Sequence, residues 1–323
     1  MSRMLREVVE QAGLEQITVH GGNDVAIESV DFDSRRVRAG ALFCCLRGAQ
    51  SDGHEFAGAA IAAGASALLV DHRIDLDVPQ LVVPDTRRAM GWLAASFFRH
   101  PGRALTLVGV TGTNGKTTTT HLINSILGAA GLSTGMIGTL TGAHTTPESP
   151  DLQSRLAEFV DGGVRAVVIE VSSHALELQR VAGCHFQIAV FTNLGRDHLD
   201  LHGTQERYFA AKARLFHPDL ADAAVVNIDD PHGRLLMDVG SIPVEGFGLA
   251  DVSNVSVSAT NHSYSWRGQS ISVPIGGEFN VMNSLAAATA CARLDIDLVT
   301  IKRGLEGAAA VPGRFEAVVT GQP

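Results

Sequence analysis

Short apolar runs alternate with amphipathic stretches along most of this chain, and the two rhythms are those of strands and helices. Within residues 1–100, segments 29–32, 41–46, 67–70 and 81–83 read as strands, and 55–63 and 86–98 as helices. In the last of these Met90, Leu93, Ala94 and Phe97 fall on one stripe. The cluster His100-Pro101-Gly102 interrupts the pattern and marks a domain boundary. Beyond it, strands at 105–110, 135–137, 166–171, 188–191 and 224–227 alternate with helical stretches at 117–130, 151–161 and 205–215. Apolar runs spaced by helices predict a mostly parallel sheet covered on both faces, with right-handed crossovers and ligands at the carboxyl ends of its strands. Segments 252–257, 264–266 and 271–273 look like antiparallel strands appended to that sheet, and 277–294 like a long Ala-rich helix. The expected fold class is α/β: a small N-terminal α/β domain over 1–100, then a parallel-sheet domain over 101–323.

Bulk properties narrow the classes of function. A length of 323 residues suits two domains. The formal net charge of −9 argues against a general nucleic-acid-binding surface but permits local cationic pockets. The apolar stretch 56–70 is Ala/Gly-rich and broken by Ser66, so it reads as a helix and a strand, not a membrane span. Residues 1–10 are charged and helical in pattern, unlike a signal peptide. Cys44, Cys45, Cys184 and Cys291 have neither metal-ligand spacing nor a disulfide framework, and read as buried thiols. These features lead us to expect a cytoplasmic protein without membrane insertion.

The candidate chemistry starts at Val108-Gly109-Val110-Thr111-Gly112-Thr113-Asn114-Gly115-Lys116-Thr117-Thr118. An apolar strand breaks into a glycine turn and a helix begins at Lys116. That order presents backbone N–H groups and a helix N-terminus to an anion, with Lys116 as a point charge and Thr117 as a hydroxyl ligand for magnesium. The usual earlier glycine is replaced by Val110, which leaves the shorter Gly-x-x-Gly-Lys-Thr form. A second buried strand ends in Glu170, followed by Val171-Ser172-Ser173-His174. A third ends in Thr192-Asn193-Leu194-Gly195-Arg196-Asp197-His198. Strand-end carboxylates beside a phosphate loop hold magnesium or orient water; a lone Glu170 reads more readily as a solvated strand end, and it is the neighbouring motifs that change the reading. His198 alone reads either as a hydrogen-bonding residue or as a metal ligand.

Taken together, Gly112–Thr118, Glu170–His174 and Thr192–Asp200 resemble the Mur ligase family. Thr145-Thr146-Pro147, Arg180-Val181-Ala182-Gly183 and Tyr208-Phe209-Ala210-Ala211-Lys212 narrow the likeness to the branch that adds the third residue of the peptidoglycan stem peptide. The likeness runs from Asp33-Ser34-Arg35 to Gly313-Arg314-Phe315-Glu316. It implies an ATP-dependent, ADP-forming amide ligase of cell-wall biogenesis. Such an enzyme joins diaminopimelate or lysine to UDP-N-acetylmuramoyl-L-alanyl-D-glutamate through an acyl phosphate. The 1–100 domain would bind the UDP-sugar and 101–323 the ATP. By the same resemblance, Gly112, Thr113, Asn114, Gly115, Lys116, Thr117 and Thr118 bind ATP, together with Asn280, Asn283 and Arg314. Thr117, Glu170, His198 and Lys212 hold Mg2+, the lysine as a carbamate. Ser34, Thr145, Thr146, Ser172 and Arg180 hold the muramoyl substrate, and Lys116, Glu170, His198 and Lys212 form the catalytic group. As plain sequence, an Asn near a helix start is equally a cap.

The resemblance also carries a departure. Family members continue into a third domain with the amino-acid pocket, and this chain stops at Pro323. The expectation is therefore a ligase whose C-terminal domain is missing or supplied separately. The alternatives are a non-catalytic nucleotide- and UDP-sugar-binding module, or another Mur-like ligase such as a folylpolyglutamate synthetase. A plain phosphate-loop kinase or GTPase has no use for the His198–Lys212 pair.

Overall fold

A computed structural model describes residues 2–48, 51–142, 144–195 and 202–313. Contacts divide the chain into two units. The first comprises Met1–Gly102 together with Glu148–Glu158 and Leu178–Cys184, and the remaining residues form the second.

The first unit is built on short buried strands. It carries β1 (Arg3–Met4), α1 (Leu5–Ala12), β2 (Thr18–His20), β3 (Ala26–Ile27), β4 (Ser29–Asp31), β5 (Ala41–Cys44), α2 (Ala57–Ala62), β6 (Ala67–Val70), β7 (Gln80–Val82) and α3 (Thr86–Phe97). The main sheet has the order β2-β7-β6-β5-β4, parallel except for β2. Strands β5 and β6 are buried at every position, as strands covered on both faces must be. On one face Leu42, Leu69 and Leu81 pack with Leu5 and Val8 of α1 and with Met90 and Leu93 of α3. On the other, Phe43, Leu68 and Val70 pack with Ala57 and Ala60 of α2. Asp85 sets the start of α3 by accepting the Arg88 N–H at 2.9 Å.

The second unit begins with β8 (Thr106–Thr111), α4 (Lys116–Ala129) and β9 (Thr134–Ile137). Helix α5 (Ser149–Asp161) lies partly in the first unit, and its last residues lie in the second. There follow β10 (Ala166–Glu170), α6 (Ser173–Glu177), β11 (Phe186–Phe191), α7 (Gln205–Ala213), β12 (Ala221–Asn227), α8 (Pro231–Val239) and β13 (Val244–Phe247). The chain closes with β14 (Val252–Val257), β15 (His262–Trp266), β16 (Gln269–Val273), α9 (Phe279–Arg293) and α10 (Leu298–Glu306). Strand order is β13-β12-β11-β8-β10-β9, parallel throughout. From β8 the chain runs to β9 and β10 on one side and then to β11 on the other, so β8 is the switch point where such sheets bind ligands.

Strands β14, β15 and β16 form a separate antiparallel sheet. Its Tyr264, Trp266, Ile271 and Val273 share one core with Val108 and Val190 of the parallel sheet, Ile123 and Ile126 of α4, and Leu285, Ile301 and Leu305 of α9 and α10. The expected mixed α/β architecture with appended antiparallel strands is therefore the observed one. No helix among the described residues is long and apolar enough to cross a membrane. All four cysteines are buried, and burial pushes the Cys45 and Cys184 thiols up to about 12.

Candidate active site

The cleft forms where β8 gives way to α4. Two glycines make that turn. Gly112 has φ +154, and a Cβ there would sit 1.9 Å from Thr192 Oγ1; Gly115 has φ +86, and a Cβ would sit 2.2 Å from Asn283 Oδ1. Only glycine satisfies both the left-handed backbone and the close approach. The turn is clamped by the end of β11. Thr113 N donates to Asn193 O at 2.9 Å, Asn114 N donates to Asn193 Oδ1 at 2.9 Å, and Thr192 Oγ1 donates to Asn114 O at 2.6 Å. Within α4 the first-turn N–H groups have no carbonyl one turn back, so the helix start is electropositive. Lys116 Nζ lies over the turn, donating to Gly112 O and Thr113 O at 2.9 Å each.

Glu170 ends β10 beside this loop and is 2% exposed. Its Oε2 accepts from Thr117 Oγ1 at 3.0 Å and from Thr139 Oγ1 at 3.3 Å, and its Oε1 accepts from Thr139 N at 3.0 Å. Gly138 makes room: a Cβ there would lie 2.2 Å from Glu170 Oε1. Every donor in that set is neutral. A buried carboxylate so held is an oxygen site suited to a hard cation, with the Thr117 hydroxyl converging on it. Thr139 was absent from the sequence expectations; its signal was its place just past β9, at the same carboxyl edge of the sheet.

Lys212, on α7, is 1% exposed and donates to Gly112 O at 2.9 Å, the carbonyl that also receives Lys116. Its Nζ lies 4.5 Å from the Tyr208 ring centroid. Tyr208 in turn reaches the loop, with its hydroxyl 3.1 Å from Thr113 Oγ1.

A cavity of 930 Å³ opens on the loop and Glu170, with Lys212 and Tyr208 behind the loop and not in the cavity lining. Thr113 to Thr118, Glu170, Thr139 and Thr145 supply polar lining, and Phe247, Phe279 and Met282 supply apolar lining. The volume suits a nucleotide, with a phosphate cradle and an apolar surface for a base. Asn280 and Asn283 line it too. Asn280 Nδ2 donates to Gly276 O at 2.6 Å and its Oδ1 accepts from Asn283 Nδ2 at 2.8 Å, so this pair ties the start of α9 to the loop before it.

The other expected positions fall as follows. Thr145 hydrogen-bonds Thr139 through its hydroxyl at 3.1 Å. Thr146 is buried; its hydroxyl donates to Glu170 O at 2.7 Å and accepts from Ser172 N at 3.2 Å, joining two strand-end loops. Ser172 Oγ caps α6 by accepting from Ala175 N at 3.1 Å. Ser34 and Arg180 belong to the first unit. Ser34 sits beside Asp33, whose carboxyl is lowered to about 2, first by hydrogen bonding from the Arg35 guanidinium and then by the Arg35 backbone N–H. Arg180 and Arg87 both pair with Glu148, at 2.9 and 3.4 Å. His198 and Arg314 lie outside the described residues.

Fold and cleft define a phosphate-loop protein with its site at the switch point of a parallel sheet. Family comparison is more specific: the Mur ligase middle domain matches residues 110–291, and the Mur ligase family catalytic domain matches 26–98. The UDP-N-acetylmuramoyl-L-alanyl-D-glutamate–2,6-diaminopimelate ligase of Geobacillus kaustophilus is 42% identical over 94% of this chain and 67% of its own length. The ligase of the same name from Gloeobacter violaceus is 42% identical over 97% of this chain and 68% of its own. A solved ligase of that name superposes with a TM-score of 0.81 at 30% identity, covering 97% of this chain and 68% of that one. This chain belongs to the Mur ligase family, and it spans about two thirds of the length of these relatives.

Proposed function

We propose that this chain carries the UDP-sugar- and ATP-binding parts of a ligase that adds diaminopimelate to UDP-N-acetylmuramoyl-L-alanyl-D-glutamate in peptidoglycan synthesis, in the cytoplasm. The observation that carries this reading is the convergence of the phosphate loop, Thr117 and the buried Glu170 in one nucleotide-sized cleft of a Mur ligase. Chemically, ATP phosphorylates a substrate carboxylate, the amine attacks the acyl phosphate, and phosphate leaves. Two polyanions must therefore meet, and cations must screen them.

Each residue's share follows from its chemistry. N–H groups of the loop and of the α4 start cradle the β- and γ-phosphates. Lys116 exchanges its carbonyl partners for phosphate oxygens. Thr117 and Glu170 offer the oxygen donors that magnesium prefers, with His198 as a further ligand by family likeness. Bound there, Mg2+ would neutralise phosphate charge. Lys212 is read as a carbamate: its ammonium loses one proton, the free amine adds to the CO2 carbon and loses a second, so a cation becomes an anionic oxygen donor. The support is that Lys116 and Lys212 as ammonium groups crowd one carbonyl oxygen, Gly112 O, in a buried place. Ser34, Thr145, Ser172 and Arg180 are assigned to the muramoyl substrate, and the Arg180 fork, now on Glu148, suits a carboxylate. Thr146 acts through the loops it joins.

The test is calorimetric titration with magnesium-ATP and with UDP-N-acetylmuramoyl-L-alanyl-D-glutamate, followed by phosphate release with diaminopimelate or lysine as acceptor. Binding of both nucleotides, with no competition from folates, is the expected result. Failure to bind the muramoyl nucleotide, or preference for a folate, overturns the assignment. For Lys212, a carbamate resonance on addition of 13C-bicarbonate is expected in the native protein and lost in Lys212→Ala.

A further inference from the structure

We propose that His54, Asp71 and His72 of the first unit form a binding site for one divalent transition-metal ion of the zinc class. Their donor atoms all lie within 4.8 Å of one another. Asp71 Oδ1 is 3.3 Å from His54 Nε2 and 2.5 Å from His72 Nδ1. A four-coordinate ion with bonds of about 2.0–2.1 Å holds its donors roughly 3.3 Å apart, which the Asp71–His54 pair already matches. His72 must release its Nδ1 proton and move roughly 0.8 Å from Asp71 to admit the ion. The two imidazoles stack with centroids 4.7 Å apart and planes 26° apart, which turns both toward the same carboxylate.

The tautomer of His54 is also fixed in the sense a metal requires. Its Nδ1 lies 2.6 Å from Asp52 Oδ1, and a carboxylate only accepts, so Nδ1 carries the proton. Nε2 is left as a lone pair facing Asp71, where the Asp71 N–H reaches it at a long 3.3 Å. A carboxylate behind one ring nitrogen with the other nitrogen aimed at a ligand cluster is the arrangement that orients metal-binding histidines. Two imidazoles and a carboxylate favour zinc, cobalt or nickel over magnesium or calcium. Arg47 engages both oxygens of Asp71, with Nε 2.5 Å from Oδ2 and Nη2 3.2 Å from Oδ1. Its charge opposes the ion and limits affinity.

Bound there, the ion would tie the turn that carries Asp52 and His54 to the end of β6. The experiment titrates the full chain with CoCl2 under saturating MgCl2, which keeps hard-oxygen sites filled. We expect one equivalent of cobalt with the visible absorption of a tetrahedral ion, its displacement by ZnCl2, and a higher Tm with ZnCl2. His72 is half exposed, so His72→Ala should fold and lose affinity at least ~10-fold. Asp52→Asn keeps all three ligands and should weaken binding by ~10–100-fold. Arg47→Ala should tighten it. Absence of a tetrahedral band, or equal cobalt affinity in His72→Ala and the native protein, overturns the proposal.

Discussion

At the scale of single residues, the site is decided by where charge is buried. Glu170 is almost wholly enclosed and meets only neutral donors among those described, while Lys116 and Lys212 share one carbonyl. An isosteric change separates charge from shape. Glu170→Gln keeps an oxygen for Thr139 N but removes the charge that would hold magnesium. Affinity for ATP with magnesium should fall ~10-fold or more, while metal-free affinity stays within a factor of ~2. Calorimetry with and without MgCl2 reads both numbers, and an undiminished magnesium preference would sink the role. Sequence alone carried part of this picture. Lys116, Thr117 and the glycines are adjacent, so their mechanism is written in their spacing. Lys212 lies far along the chain on another helix, and nothing but family likeness singles it out from surface lysines. Thr139 carried only the positional signal of lying just past β9, because its contact is made by the neighbouring strand, which brings Glu170 to it.

At the scale of elements, legibility followed burial and length. The strand at 67–70 was readable from its apolar run, and the helix beginning at Lys116 or next to it from the glycine turn that precedes it. The helix α8, the strand β13 and the helix α10 went unassigned. For α8, Asp230 caps and Pro231 opens the helix, but only Gly233 and Leu236 are buried, which leaves a weak apolar stripe. The strand β13 is short, holds Gly246 and Glu245, and lies at the sheet edge, so neither alternation nor a continuous apolar run marks it. The reason α10 sits where it does is steric. Gly304 faces α4 so closely that a Cβ would lie 2.4 Å from Ile126 Cα, and Ser125 Oγ donates to Gly304 O at 2.7 Å. Gly304→Ala should therefore force the helices apart and cost ~1–3 kcal/mol in urea unfolding. Gly128→Ala, on the exposed side of α4 with nothing within 4 Å, should instead gain ~0.5–1 kcal/mol. Equal effects of the two would show that the α4–α10 approach does not constrain this position.

At the scale of the whole molecule, the response to acid follows from histidines that fold neutral. His262, the first residue of β15 in the antiparallel sheet, is fully buried, its Nδ1 2.6 Å from Ile275 O and its Nε2 2.8 Å from Ser284 Oγ. Burial lowers its pKa from 6.5, outweighing the Ile275 hydrogen bond, which pulls the other way. His121 on α4 is lowered from 6.5 in the same sense, again by burial, with the Glu170 charge opposing. A group whose protonated form is disfavoured in the fold binds its proton more readily in the unfolded chain. The stability it contributes is complete above the unfolded value of ~6.5 and is lost as pH falls below it toward the folded value. Carboxylates held low, such as Asp33 at about 2, titrate well beneath that window and leave it to the histidines. The urea midpoint should be flat from pH 8 to 7 and decline between pH 6.5 and 5. His262→Gln can still bridge the same two partners but takes up no proton, so it should flatten the decline even if it lowers the plateau. A decline of unchanged steepness in that variant would mean that the fold's acid sensitivity comes from groups other than this imidazole, and would remove the antiparallel sheet from the account.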